Sequence, residues 1–290
     1  MQAPYHYLEV DTILLLIFAQ ISIKYGLFIP FEMATILQNW QLLLLLLSSV
    51  SLLMAGQFVL AAYKNNTPQT VHNIAFRAFI ICTIIGVFIG FYLANAIGRP
   101  GFTALFIVAS GLCYLYASYL KEILIVRNSV IALLVFLSFL ALPLFDLLPA
   151  TLPENRDSQK VIFSIILDYS LLLFILMTAI EIVKDLKTIE NKSNVSGSLP
   201  GVIGSKKTSI VIVVLLIIAI SLVIYYLYTY LFHSVYAIIF GLLAIIAPLL
   251  YAVSLMLTSQ QNLQLNRMII ILKAVLWMLS LSLLLYQFIL

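Results

Sequence analysis

Charge is what this sequence has least of. Asp, Glu, Lys and Arg make up 9% of its 290 residues. Soluble domains carry roughly 25%, so a water-soluble globular domain is excluded. Cysteine is almost absent: Cys82 and Cys113 lie in separate apolar runs without metal-ligand spacing. That excludes a disulfide scaffold and a thiolate metal site, and both cysteines read as small packing residues. Histidine is equally sparse. His6, His72 and His233 fall in loops or at the ends of apolar runs, and no pair has the spacing of metal ligands. No basic patch is interleaved with aromatics, so nucleic acid is excluded as a partner, and the net charge of +4 reads as a membrane-topology signal. The first residues lack a basic segment and a small-residue cleavage site. The first apolar run is therefore expected to direct insertion itself.

What the sequence does have is hydrocarbon. Apolar residues make up 64% of it and come in runs of about twenty, enough to cross roughly 30 Å of bilayer. In that solvent every backbone group must be bonded within its own segment, which selects helices. The expectation is an all-α integral membrane protein, a single polytopic domain over residues 1–290 with about nine spans. They run Val10–Pro30, Gln41–Tyr63, Ile74–Ile97, Thr103–Leu120, Ser129–Leu148, Val161–Val183, Ser209–Phe232, Val235–Thr258 and Met268–Leu290. Pro143 and Pro248 fall inside spans and predict kinks.

Lys and Arg are unevenly shared between the two sides. Lys64, Arg77, Lys121, Arg127, Lys184, Lys187, Lys192, Lys206, Lys207, Arg267 and Lys273 flank the loops after the even-numbered spans. Only Arg99, Arg156, Lys160 and Lys24 belong to the other side. The positive-inside rule then puts the amino terminus and the even-numbered loops in the cytoplasm of a bacterial inner membrane. Asn191-Lys192-Ser193 and Asn194-Val195-Ser196 match the glycosylation pattern, but in a cytoplasmic loop they are chance matches.

The densest charge is Glu181-Ile182-Val183-Lys184-Asp185-Leu186-Lys187-Thr188-Ile189-Glu190, at the end of the sixth span. Leu199-Pro200, Gly204 and Lys206-Lys207 follow it. The run resembles the EI-x-KD opening and the TLP…G-x-KK loop of the second acidic motif of the UbiA superfamily of intramembrane prenyltransferases. Tyr116, Leu120, Lys121 and Asn128 resemble the family's Y-x-x-x-LK…GN segment. Ala55-Gly56 resembles the approach to its first acidic motif. The resemblance runs nearly end to end and is nearest to geranylgeranylglycerol-phosphate synthase-like members. It implies a nine-helix bundle that binds a prenyl diphosphate through Mg²⁺ held by carboxylates on two facing helices.

Most of the carboxylates are missing: every acid of the first motif is gone and one of three, Asp185, remains in the second. The family's first motif resembles N-x-x-N-D-x-x-D-x-x-x-D, and here those positions read Gln57, Leu60, Ala61, Lys64 and Pro68. The second resembles KD-x-x-D-x-x-x-D and reads Lys184-Asp185, Thr188 and Lys192. Mg²⁺ wants near-octahedral oxygen ligation, and acids three or four residues apart on a helix supply it from one face. The metal also neutralises charge on the departing diphosphate. The expectation is a protein that has lost this site, with no cofactor. Mg²⁺ is implied only if an active prenyltransferase survives on Asp185, Glu181 and Glu190, with Asp185 as the metal ligand.

Two lost acids have become lysine, which binds phosphate as a point charge without a metal. The candidate anion or lipid contacts are Lys64, Lys121, Lys184, Lys192, Gln57 and Asn128. The expected partners are an isoprenoid phosphate or anionic phospholipid and, for a scaffold role, another membrane protein. Asp168 is an intramembrane acid and a functional candidate by default. Lys24 is expected to snorkel outward from the first span. Tyr225, Tyr226, Tyr228, Tyr230 and Tyr236 read as an aromatic belt.

Overall fold

The computed structural model describes residues 8–63, 68–118, 124–190, 198–258 and 262–289. Eight helices among them are long and apolar enough to cross a membrane: Val10–Phe28, Asn39–Ala62, Gln69–Ala96, Asn128–Ala150, Arg156–Ile189, Ser205–Tyr230, Val235–Thr258 and Leu263–Tyr286. A shorter apolar helix, Pro100–Leu115, stands where the fourth span is expected. No described residue forms a strand. The helices are α1 (Val10–Ile23), α2 (Asn39–Ala62), α3 (Gln69–Ala96), α4 (Thr103–Ser118), α5 (Leu124–Leu142) and α6 (Arg156–Glu190). They continue as α7 (Leu199–Ile203), α8 (Ser205–Tyr230), α9 (Val235–Phe240), α10 (Ala247–Thr258) and α11 (Asn262–Ile289).

Burial separates inner helices from outer ones. In α2 72% of the apolar window is buried inside the bundle, against 22% in α3 and 28% in α8. The outer helices keep Ile84, Phe88, Ile210 and Tyr228 exposed to where lipid would lie. Lipid tails are as apolar as leucine, so helix association here rests on close fit and interhelical hydrogen bonds. Gln20 of α1 is one such bond: its amide nitrogen donates to Ser49 Oγ of α2 at 3.2 Å and to the Ser138 carbonyl of α5. Ser48 of α2 donates to the Gly86 carbonyl of α3 at 2.7 Å.

Three spans contain a π-helical turn: Lys24–Phe28 after α1, Pro143–Leu147 after α5 and Gly241–Ile246 between α9 and α10. The kinks expected at Pro143 and Pro248 take this form. Proline has no N–H to give the fourth residue back, and a wider turn absorbs the loss. The first π turn is likewise followed two residues on by a proline, Pro30. It is held against α11 through Gly26, where a Cβ would sit 2.2 Å from the Leu283 carbonyl oxygen.

Lys24 does not snorkel. It is buried and its ammonium lies 2.6 Å from Asp146 Oδ2, with side-chain exposures of 6% and 0%. It also donates to Thr35 Oγ1 at 3.1 Å and to the Leu37 carbonyl at 3.4 Å. Asp146 Oδ1 in turn accepts the backbone N–H of Ile36 at 3.0 Å and of Leu37 at 2.7 Å. Both ends of this pair sit in π turns, and together they pin the loop that joins α1 to α2.

The charged run is helical to its end. α6 has 35 residues, about 52 Å at 1.5 Å per residue, so it exceeds a hydrocarbon core of about 30 Å. Its last turns carry Glu181 through Glu190 to one end of the bundle, called here the motif end. That end also holds the start of α1, the end of α2 and the starts of α5, α8 and α11. The far end holds the Lys24–Asp146 pair.

Candidate functional site

At the motif end the first described residues reach into the bundle. Lys184 Nζ lies 2.7 Å from Glu181 Oε1, one turn back on α6. It lies 2.5 Å from Oε1 of Glu9, just before α1. Glu9 Oε2 accepts from Thr12 Oγ1 at 3.2 Å, and the Glu9 backbone N–H donates to Gln57 Oε1 of α2 at 3.1 Å. Glu9 thus stands between α2 and α6, on the line where the resemblance places facing motifs. On the other flank Lys273 of α11 meets Asp11 at 2.8 Å. Glu9, Asp11, Met177, Lys184, Lys273 and Trp277 help line a cleft between α1, α6 and α11 with about 300 Å³ of unfilled space, part of it open to the surroundings.

Two of the expected anion contacts carry buried, unsatisfied donors. The amide nitrogens of Gln57 and Asn128 are buried and bond to no described residue. The Gln57 amide is oriented by the bond its oxygen accepts from Glu9, which leaves the NH₂ group as the open half. A buried donor without a partner costs its desolvation energy, so these positions suit an acceptor atom.

The remaining expected residues divide. Lys184, Glu181 and Gln57 are brought together through Glu9. Asp185 is buried on the next position of α6. Glu190 is the last residue of α6, and its side chain lies outside the described residues. Lys64, Lys121 and Lys192 also lie outside them, directly after α2, between α4 and α5 and directly after α6. Ala61 is buried, and Thr188 donates to the Lys184 carbonyl at 2.8 Å. Among the described residues no three His, Cys, Asp or Glu side chains are grouped to hold a metal ion.

The fit to Mg²⁺ is poor on the donor chemistry present. A bridging cation needs oxygen ligands from both sides. Here α2 offers an amide NH₂ and a methyl group at Gln57 and Ala61, while Glu9 and Glu181 on the other side are shared with an ammonium.

Sequence reasoning did not single out Glu9 or Asp146. An acid just ahead of an apolar run, and another three residues after Pro143 inside one, are the marks that point to them. The tyrosine group is also split. Tyr225, Tyr228 and Tyr236 are exposed as a belt requires, while Tyr226 is buried and faces inward with Tyr230 beside it.

This arrangement is a helical intramembrane bundle with a polar end formed by α1, α2, α6 and α11. It has the fold of the UbiA prenyltransferases. A solved structure of digeranylgeranylglyceryl phosphate synthase in membranes matches 95% of this chain and 98% of its own at 19% identity, with a TM-score of 0.62. A UbiA homologue from Aeropyrum pernix K1, solved in its apo form, matches 93% of this chain and 96% of its own at 13% identity, with a TM-score of 0.64. No protein-family model matches the chain. No curated protein sequence matches it either.

Proposed function

We propose that this chain keeps the UbiA fold without its metal-diphosphate chemistry and binds an anionic lipid at the motif end. The observation that carries this reading is that the amide nitrogens of Gln57 and Asn128 are buried without a hydrogen-bond partner among the described residues. An open N–H suits a phosphate oxygen as acceptor. Lys64, Lys121 and Lys192 lie in sequence next to helices that end there, and they add positive charge to the flanking segments of the sequence. The ligand class is an isoprenoid phosphate or an anionic phospholipid, held without a metal cofactor. The role is that of a lipid-binding or scaffold subunit in a membrane complex. The motif end faces the cytoplasm of a bacterial inner membrane in this reading, as the Lys and Arg bias requires.

Incubation of the purified protein with Mg²⁺, a radiolabelled prenyl diphosphate and candidate acceptors is expected to give no alkylated product. Turnover would overturn the reading. Native mass spectrometry of the gently solubilised protein is expected to show a lipid phosphate that is lost in Lys64→Ala/Lys192→Ala.

A second reading has one observation in its favour. Glu181 and Asp185 remain one turn apart on α6 at the motif end, so a remnant acidic face exists. In an active prenyltransferase using Asp185, Glu181 and Glu190, Asp185→Asn abolishes transfer.

A further inference from the structure

A larger cavity lies nearer the far end, away from the acidic run. It opens between α6, α8, the span formed by α9 and α10, and α11, and holds about 640 Å³ of unfilled space, part of it open to the surroundings. Leu172, Leu222, Leu227, Phe240, Ile245 and Leu279 make its wall apolar. Tyr225 on the same wall is 57% exposed and Tyr286 is 2% exposed. The space therefore runs from the lipid-facing surface to the core.

Its polar groups are few and specific. Tyr226 and Tyr286 both line the cavity, and both hydroxyls are buried with no hydrogen-bond partner among the described residues. The Tyr226 ring is fixed between Tyr169 and Tyr230, with centroids 5.0 Å away on each side. Its hydroxyl is thus held in place rather than free to swing to water. Tyr169 is different: its hydroxyl meets Ser282 Oγ at 2.6 Å and is satisfied. Among the described residues Asp168 is the one charged side chain lining the cavity, and no Lys or Arg shares it. The π turn Gly241–Ile246 shapes the wall where Gly241 meets α8. A Cβ there would come within 2.7 Å of Leu227 Cδ1. Such turns recur at functional sites.

We infer that this cavity is a binding site for an uncharged lipid bearing a hydroxyl or carbonyl oxygen. The apolar wall takes the acyl or isoprenoid chain. The lipid oxygen accepts hydrogen bonds from Tyr226 and Tyr286, and a lipid hydroxyl can also donate to Asp168. The lone carboxylate disfavours a phosphate headgroup, which separates this site from the anion-binding mouth at the motif end. The inference stands on different residues from the proposed function and does not depend on it.

The test uses the full chain in nanodiscs and a diazirine-labelled long-chain prenyl alcohol as probe, with the matching prenyl phosphate as competitor. Crosslinks are expected to map to residues 222–245 and 279–286, to fall with excess unlabelled alcohol and to persist with the phosphate. Tyr226→Phe/Tyr286→Phe keeps both rings and removes both donors. It is expected to lower labelling about fivefold or more, since each lost hydroxyl removes one hydrogen bond. Ala237→Phe fills the cavity by volume instead and is expected to lower labelling as well. Labelling spread over the exposed faces of α3 and α8 would overturn the assignment. So would labelling unchanged in the double tyrosine variant, or equal competition by the phosphate.

Discussion

The bundle holds an ion-pair cluster at each end, and the two are built on opposite principles. At the far end Lys24 and Asp146 are sealed from solvent, and each spends its remaining bonding capacity on the α1–α2 loop. At the motif end Lys184 is shared by Glu9 and Glu181, with side-chain exposures of 25%, 34% and 16%. Buried charge tolerates no missing partner, because the survivor has no water to turn to. Charge that keeps some access to water loses less when a partner is exchanged. One cluster is a fastener; the other is the contact at which the proposed anion would compete.

The contrast can be broken most violently at the far end. Asp146→Asn or Lys24→Met alone is expected to cost about 3–5 kcal/mol, read as a lower unfolding midpoint in detergent. The double replacement Lys24→Met/Asp146→Leu recovers a large part of that loss. A double variant no better than the singles would show that the backbone bonds to Ile36 and Leu37, rather than the charge pair, hold the loop.

At the motif end the same logic gives a gain. Glu9→Gln leaves Lys184 with one carboxylate instead of two, and binding of a prenyl phosphate by native mass spectrometry is expected to tighten about tenfold, or ~1.4 kcal/mol. Weaker binding would mean that Glu9 positions the site rather than competing for it. Gln57→Leu removes a buried donor and is expected to weaken the same binding about fivefold. Smallest of all is Lys273→Ala, whose partner Asp11 is 67% exposed at the side chain. Its unfolding midpoint is expected to move by less than about 1 kcal/mol equivalent. A shift as large as that of Asp146→Asn would erase the distinction between the two ends.

The span pattern was legible because it depends on composition alone: runs of apolar residues of bilayer length can be little else. The expected spans and the helices agree to within a few residues at Val235–Thr258 and at Gln41–Tyr63 against Asn39–Ala62. The departures from the acidic motifs that the resemblance implies were equally plain, since an absent carboxylate needs no structure to be noticed. What the sequence hid were partnerships across distance. Lys24 and Asp146 are 122 positions apart, and Glu9 and Lys184 are 175 apart. A lysine near a helix end reads as snorkelling until its partner is seen. The tyrosines of α8 were misjudged for a related reason. Hydropathy assigns a cluster to an interface, but only helical phase decides that Tyr225 faces out and Tyr226 faces in.

Helix α6 bears Asp168 at the cavity and Lys184 at the motif end, 16 positions and about 24 Å apart, on one unbroken rod. Its neighbours α1 and α5 and the α9–α10 span each contain a wider turn; α6 contains none. A rod without a hinge cannot bend to absorb a push. The spacing between the cavity and the motif end is therefore set by one continuous helix.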